Sequence, residues 1–420
     1  MIERPEGVDL ERLTAVLQAV IDNHEMLRAE LIPAAGTYEL RTRPTGAVPA
    51  GEILRRVDAS GDLLSTLQQQ SRAAIDRIDP QRGVLLQAVW YDRSRSEPDL
   101  LQLSVHHLAA DAVTWQILLA DFAQGWQQLR AGTDIALDPE ITGFRSWAEL
   151  VAQRAEAADH APHHAFWADL LSPEHPIGSR ALEPALDTAG TLATRTVRIP
   201  AAGLLDVSGR HGSASLREII VAATGLAVAG WRAQRQLDPT GGIGIAVEHH
   251  GRADDLIDGP EIDTSRTVGR FTTWFPIRVG AVADPHDADA VLTDVAKRIA
   301  AVPNGGFDFG SSDEVGPQPQ VLLNYLGRFD RIAPEALLGS TTGREWTQVR
   351  DETLTGALPV APEPDLSVQH ALELTVAVIP GADGPELACG WRWPTGLFTA
   401  DDIDGLVAAW GRAVAELAKL

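Results

Sequence analysis

The chain has 420 residues, more than one ordinary core holds and enough for two lobes of roughly 200 residues. Apolar residues make up 45% and charged residues 22%, a globular balance that excludes a disordered protein. Net charge is −23, with 35 Lys and Arg scattered among 58 Asp and Glu and no basic run, which argues against nucleic acid or anionic membrane as partner.

Cys389 is the single cysteine. A disulfide framework is therefore excluded, as is a cysteine-rich metal site, and the strand-like setting LACGWRW reads as a buried, inert thiol. The opening MIERPEGVDLERL is charged from the start and lacks the apolar core of a signal peptide. No apolar run reaches the roughly 18 residues that a membrane helix needs. The expected location is the cytoplasm.

In chain order, VDLERLTAVLQAVIDNHEMLRAEL predicts a helix with Asp9 as N-cap and Leu10, Leu13, Leu17 and Val20 as its apolar stripe. GVLLQAVWYD and DLLQLSVHH read as strands parted by the polar turn RSRSEP. After Asp111 a second helical stripe runs through Leu118, Phe122, Trp126 and Leu129, and a third helix is expected over 144–171. The Pro-, Gly- and Ser-rich stretch up to residue 190 has no period and reads as a linker. The expected division is a first lobe over 1–172, a linker over 173–190 and a second lobe over 191–420. The second lobe offers strand LATRTVRIP, helix SLREIIVAATGLAVAGWRAQ, strands GIGIAVEHHGR and TVGRFTTWFPIRV, helix DADAVLTDVAKRIAAV and strand PQVLLNYLGRF. It closes with strands near 371–392 and a helix buried through Ile403, Leu406, Trp410, Val414 and Leu417. Two mixed series of strands and helices give an α/β fold with two lobes of similar build.

Several chemistries find no support. GGIGIA lacks the spacing and the following helix of a dinucleotide site, and no Walker, HExxH or GxSxG pattern occurs. HAPHH (160–164) reads as a solvated helix end rather than a metal site. What stands out is HHLAADAVTW (106–115). A strand end holds its side chain rigidly beside a cleft, and adjacent strand residues face opposite ways. One of His106 and His107 should therefore look outward while the other packs. Asp111 opens a helix, where a carboxylate caps and meets a favourable dipole. The local pattern alone also fits a core histidine pair followed by an N-cap.

HHLAADAVTW resembles the HHxxxDGxSW signature of the condensation-domain superfamily of nonribosomal peptide synthetases. Trp115 is similar to the epimerization branch rather than the peptide-bond-forming one. VEHHGR (247–252) resembles that branch's EGHGR, SRTVGRFTTWFPI (265–277) its RTVGWFTxxYP, and LLNYLGRFD (322–330) its FNYLGxFD; PNGGFDFG (303–310) is a fainter match to PxxGxGYG. The resemblance implies two chloramphenicol acetyltransferase-like lobes, mixed sheets with packed helices, in a V-shaped pseudo-dimer with a tunnel between. It also implies that the family's first helix and PIQ-type strand start precede Met1, so that the chain begins inside the first strand. Departures are Ala112 for Gly, Thr114 for Ser, His249 for Gly, Arg270 for Trp and Asp308 for Gly.

Epimerization at Cα takes a proton from one face and delivers one to the other, so two opposed groups with near-neutral pKa are needed. Histidine supplies one at its natural pKa, and a carboxylate reaches that range when partly buried. The resemblance implies His107 and Glu248 as the pair, acting on an aminoacyl or peptidyl thioester. It implies that Asp111 pairs with Arg252 and ties the lobes together, and that His106 and Trp115 are structural at the site. Asn324, Tyr325, His250 and Thr272 are implied in substrate positioning, Asn324 by orienting the carbonyl, although Tyr325 also reads as packing. No metal or cofactor is expected in the domain itself. The phosphopantetheine arm belongs to a partner peptidyl carrier domain, and neighbouring synthetase modules are the other expected partners. The isolated domain is expected to be a monomer. A condensation domain, or an inactive carrier-docking domain favoured by His249, Arg270 and Asp308, are the alternatives.

Overall fold

The computed structural model describes residues 1–5, 7–93, 97–157, 161–171, 173–210, 215–237, 241–257, 261–309, 316–329, 346, 349, 351–359 and 363–420. The first elements are β1 (Ile2–Glu3), α1 (Leu10–Asn23), β2 (Ala29–Ala34), β3 (Thr37–Thr42), α2 (Ala50–Ile53) and β4 (Leu54–Asp58). Next come α3 (Leu63–Ile75), β5 (Leu86–Asp92), β6 (Leu100–Val105), α4 (Ala112–Arg130), α5 (Phe144–Ala157), α6 (Ala161–Leu170), β7 (Leu192–Pro200), α7 (Ala202–Arg210) and α8 (Leu216–Gln234). The chain continues through β8 (Ile243–His249), β9 (Thr273–Val279), α9 (Ala288–Ala300), β10 (Val321–Arg328), α10 (Glu352–Gly356), β11 (Leu372–Gly381), β12 (Gly384–Pro394) and α11 (Ala400–Leu417).

Two compact units result. The first holds Met1–Arg154, Arg252–Phe271 and Ile332–Pro362; the second holds Ala155–Gly251, Thr272–Arg331 and Glu363–Leu420. This division differs from the sequence-based 1–172, 173–190 and 191–420, because the chain returns to the first unit twice. Burial explains the returns. Val268 and Trp346 sit in one apolar cluster with Leu13 and Phe122, and Phe271 packs edge-on against Phe144 and Trp147 at 5.0 and 4.7 Å. The stretch 173–190 is not a bare connector either. Arg180 pairs with Asp187 at 2.6 Å, and Thr188 bridges to Ser367 within the second unit.

In the first unit a four-stranded sheet runs β1-β6-β5-β4, with β4 parallel to β5 and β6 antiparallel to it. All of Leu86–Tyr91 is buried. Leu86, Ala88 and Trp90 join the cluster with α1 and α4, while Val89 and Tyr91 join Leu67 and Ala74 of α3. A strand covered on both faces reads as a continuous apolar run for this reason. The α1 stripe is Leu13, Val16, Leu17, Val20 and Ile21; Leu10 starts the helix and faces water. Asp9 caps it by accepting from Arg12 N at 2.8 Å. The helix expected over 144–171 is two, α5 and α6; residues 158–160 lie outside the described residues.

The second unit holds a six-stranded sheet, β7-β12-β11-β10-β8-β9, in which β10 runs parallel to both neighbours and the other pairs are antiparallel. Ile245, Val247, Leu323 and Val376 share one core cluster with α8 and α11, whose Ile403, Leu406, Trp410, Val414 and Leu417 are all buried. Cys389 is fully buried there, as expected, and burial pushes its thiol up to about 12, which disfavours the thiolate. The strand expected from Thr267 begins at Thr273, since 267–271 belongs to the first unit. No described helix is long and apolar enough to cross a membrane.

Candidate functional site

The paired histidines lie just past a strand, not in it. β6 ends at Val105, and His106 closes it with a last backbone bond to Leu85 O at 2.8 Å. His107 then enters a turn and is exposed, whereas His106 is half-buried, with Nδ1 accepting from Leu108 N at 3.2 Å. The turn, rather than strand alternation, separates the two rings. His107 Nδ1 lies 2.8 Å from Ala110 O. A carbonyl only accepts, so Nδ1 carries the proton and the neutral ring presents its lone pair at Nε2.

Asp111 fixes that turn. It is the N-cap of α4 and accepts from Thr114 N at 2.7 Å. Arg252 Nη2 reaches both of its oxygens at 3.1 Å, and Phe271 N donates to Oδ2 at 3.2 Å. One nitrogen serves both oxygens, so the pair is not a two-nitrogen fork. Nη1 of Arg252 goes instead to the carbonyls of Thr264 and Thr267, and the guanidinium stacks on the Phe271 ring at 3.9 Å. Because 252–271 belongs to the first unit, this ion pair acts inside that unit, which corrects the expected role of tying two lobes. Thr114, fully buried, donates to Gly269 O and accepts from Gly269 N, at 3.0 and 3.2 Å. A hydroxyl is all this needs, so Thr serves in place of Ser. Ala112 is the exposed first residue of a helix, where Ala is well tolerated. Trp115 lies on the outer side of α4 at 36% exposure.

In the second unit Glu248 is half-buried near the end of β8 and pairs with Trp274 across the antiparallel ladder. Leu323 and Val247 are register partners in the parallel pair β10–β8. Asn324 and Glu248, one residue further on each strand, therefore project from the same sheet face. Tyr325 projects from the other and packs against the core cluster. Thr272 is half-buried just before β9, and His250 is exposed just after β8. His249, which replaces a glycine of the motif, accepts from Gly251 N at 3.3 Å through Nδ1. Burial, then the charges of His250 and Arg217, lower its pKa to about 4, so it is neutral at pH 7. Arg270 is exposed, and Asp308 is buried and accepts from Asn304.

One cluster has no counterpart among the sequence-derived residues. His24, at the end of α1, is fully buried between two carboxylates: Nε2 lies 2.5 Å from Asp121 Oδ2 and Nδ1 2.8 Å from Glu140 Oε1. Arg266 pairs with the other oxygen of Asp121, and Val268 N donates to Glu140 at 2.8 Å. The available signal was Asp121, a charge on the buried face of an amphipathic helix beside Phe122. Among the described residues no group of His, Cys, Asp and Glu could hold a metal ion. Of HAPHH, His160 and the side chain of His164 lie outside the described residues.

The condensation domain family profile matches residues 1–321. Surfactin synthase subunit 2 of Bacillus subtilis (strain 168) is 30% identical over 346 residues, 79% of this chain and 9% of that protein. Tyrocidine synthase 1 of Brevibacillus parabrevis is 26% identical over 350 residues, 79% of this chain and 31% of that protein. The chain thus spans less than a third of the length of either relative. Among solved structures, the epimerization domain from the third module of tyrocidine synthetase B superposes with TM-score 0.82 at 18% identity, covering 100% of this chain and 91% of that one. The condensation domain of a monacolin K polyketide synthase gives 0.70 at 13% identity, covering 100% and 91%. The fold is the one these condensation and epimerization domains share.

Proposed function

The chain belongs to the condensation domain family, and within it we propose that it is an epimerization domain of a nonribosomal peptide synthetase. The substrate is an aminoacyl or peptidyl thioester on the phosphopantetheine arm of a carrier domain, and the reaction inverts its Cα. The observation that carries this reading is Glu248: a half-buried carboxylate near a rigid strand end, with Asn324 on the same sheet face. A peptide-bond-forming domain has no need of a second acid/base group there.

His107 and Glu248 are assigned one proton transfer each. His107 meets the requirement in the first unit, with Nδ1–H held by Ala110 O and Nε2 left to take or give a proton. Removing the Cα proton places charge on the thioester oxygen, which Asn324 is assigned to receive by donating from its amide. Return of a proton to the opposite face completes inversion, with no net gain or loss of protons or electrons. Which group acts first depends on the handedness supplied.

The test is incubation of the chain with a carrier-bound L-aminoacyl thioester in D2O. An epimerase yields a mixture of L and D product with deuterium at Cα. Peptide-bond formation with an added acceptor thioester, without Cα exchange, identifies a condensation domain instead. Carrier binding with neither reaction identifies a docking domain.

A further inference from the structure

The geometry of His24 favours the doubly protonated ring when both neighbouring carboxylates are ionised. Both ring nitrogens stand within hydrogen-bond distance of a carboxylate oxygen, at 2.5 and 2.8 Å, and water does not reach the ring. A neutral imidazole has a single N–H and would turn a lone pair toward one of those anions. An imidazolium donates to both. Burial opposes the charge, but the hydrogen bonds and charges of Asp121 and Glu140 outweigh it and raise the pKa. The charged groups facing the ring are Asp121 on α4, Glu140 on the loop before α5 and, behind Asp121, Arg266 of the returning segment. The neighbours of His24 on its own side are engaged elsewhere. Asp22 accepts from Gly46 N, Glu25 from Arg145 N, and Arg28 donates to the carbonyls of Ile21 and Asp22. The two anions face His24 and Arg266, and the charge of Arg252 also acts on Glu140, so the carboxylates are offset by nearby cations.

The cluster grips a specific piece of chain. Arg266 and Val268 are held through Asp121 and Glu140. The next residues continue the line: Gly269 exchanges two hydrogen bonds with Thr114, and Phe271 N donates to Asp111. Asp111 follows Ala110, whose carbonyl holds His107 Nδ1. All of these residues lie in the first unit.

We propose that His24 is a positioning residue for His107: as a buried imidazolium bridging Asp121 and Glu140, it fixes residues 266–271 against α4 and, through Asp111 and Ala110, the ring of His107. The catalytic part rests on the acid/base role given to His107 above; the protonation and positioning parts do not.

The experiment uses the whole chain with 15N-labelled histidine, followed by NMR from pH 6 to 9, with His24→Gln to assign the signal and residue-resolved hydrogen exchange alongside. Both ring nitrogens of His24 should be protonated at pH 7, and their titration should lie above that of an ordinary histidine, near 6.5. As pH rises through that titration, the amides of Val268, Gly269 and Phe271 should lose protection beyond the rise common to all amides. In His24→Gln they should be poorly protected at every pH. The turnover of this variant should fall on the order of 10–100-fold in kcat with KM little changed, as expected when a reacting group is slightly misplaced. Asp121→Asn provides a second route to the same readouts should His24→Gln fail to fold. A single N–H on His24 at pH 7, or unchanged protection of Val268 and Phe271 in the variants, overturns the proposal. Loss of protection with kcat unmoved overturns the positioning of His107 and leaves epimerization standing. Absence of epimerization in the wild type, with the NMR and exchange results as expected, removes the function and keeps the clamp.

Discussion

His24 and His249 are both drawn out of water, yet their pKa values move in opposite directions, because His24 faces two carboxylates and His249 has burial, His250 and Arg217 set against its charge. The folded pKa of His24 is raised. Its contribution to stability is full below the unfolded value of about 6.5 and is lost as pH rises through the folded value. The folded pKa of His249 is lowered to about 4. Its contribution is present above about 6.5 and is lost as pH falls toward 4. Thermal melts of wild type, His24→Gln and His249→Gln across pH 4–9 should show this crossing. The advantage of wild type over His24→Gln narrows on the alkaline side, and its advantage over His249→Gln narrows on the acid side. Asp111 poses a different question, since it is a buried anion shared by a cap, an arginine and a backbone amide. Replacing it with Ala should destabilise the chain by about 3–5 kcal/mol, the usual cost of leaving one member of a buried pair uncompensated. Denaturant melts measure this, and a loss below about 1 kcal/mol would show that the pair is solvated. Asp111 and Arg252 were legible as a pair from their motifs. His24 was not, because its partners lie about a hundred residues away and no local spacing reports them.

At the scale of elements, the amphipathic helices were readable because one face of each meets a core. The buried stripes of α4 and α11 fall where the helical period puts them. The hairpin β2–β3 left no comparable trace, since β3 is exposed along nearly its whole length and so lacks a buried face. The start of β9 was misplaced because Val268 and Phe271 are apolar for a different reason: they anchor the returning segment in the first unit. Gly269 is the tight point of that anchor. A Cβ there would come within 2.4 Å of the Phe144 ring. Gly269→Ala should therefore destabilise by about 1–3 kcal/mol through overpacking, measured by denaturant melts. A partner change that shrinks the ring, Phe144→Leu, should recover part of that loss. If the double variant is as unstable as the sum of the singles, the contact is not the cause.

For the molecule as a whole, two α/β units were readable from two runs of mixed strands and helices, but their boundaries were not. A chain that leaves one unit at Gly251, spends 252–271 in the other and returns at Thr272 carries no composition shift at either crossing. The crossing begins three residues after Glu248, so the motif EHHGR belongs to both units, its carboxylate to the second and its arginine to the first. The motifs conveyed the family, and the packing conveyed which unit holds each motif residue.

The central claim is two-group acid/base inversion, and Glu248→Gln tests it most directly, because the amide keeps the shape and hydrogen-bonding capacity and removes the proton transfer. The measurement is the rate of L-to-D and of D-to-L conversion of a carrier-bound aminoacyl thioester in D2O, with deuterium at Cα followed in each configuration. Both conversions should slow by about 10²–10⁴-fold, the usual contribution of a general acid/base. Deuterium exchange with retention should survive for one configuration, where His107 still removes and returns a proton on its own face. Conversion in either direction at close to the wild-type rate would contradict the account.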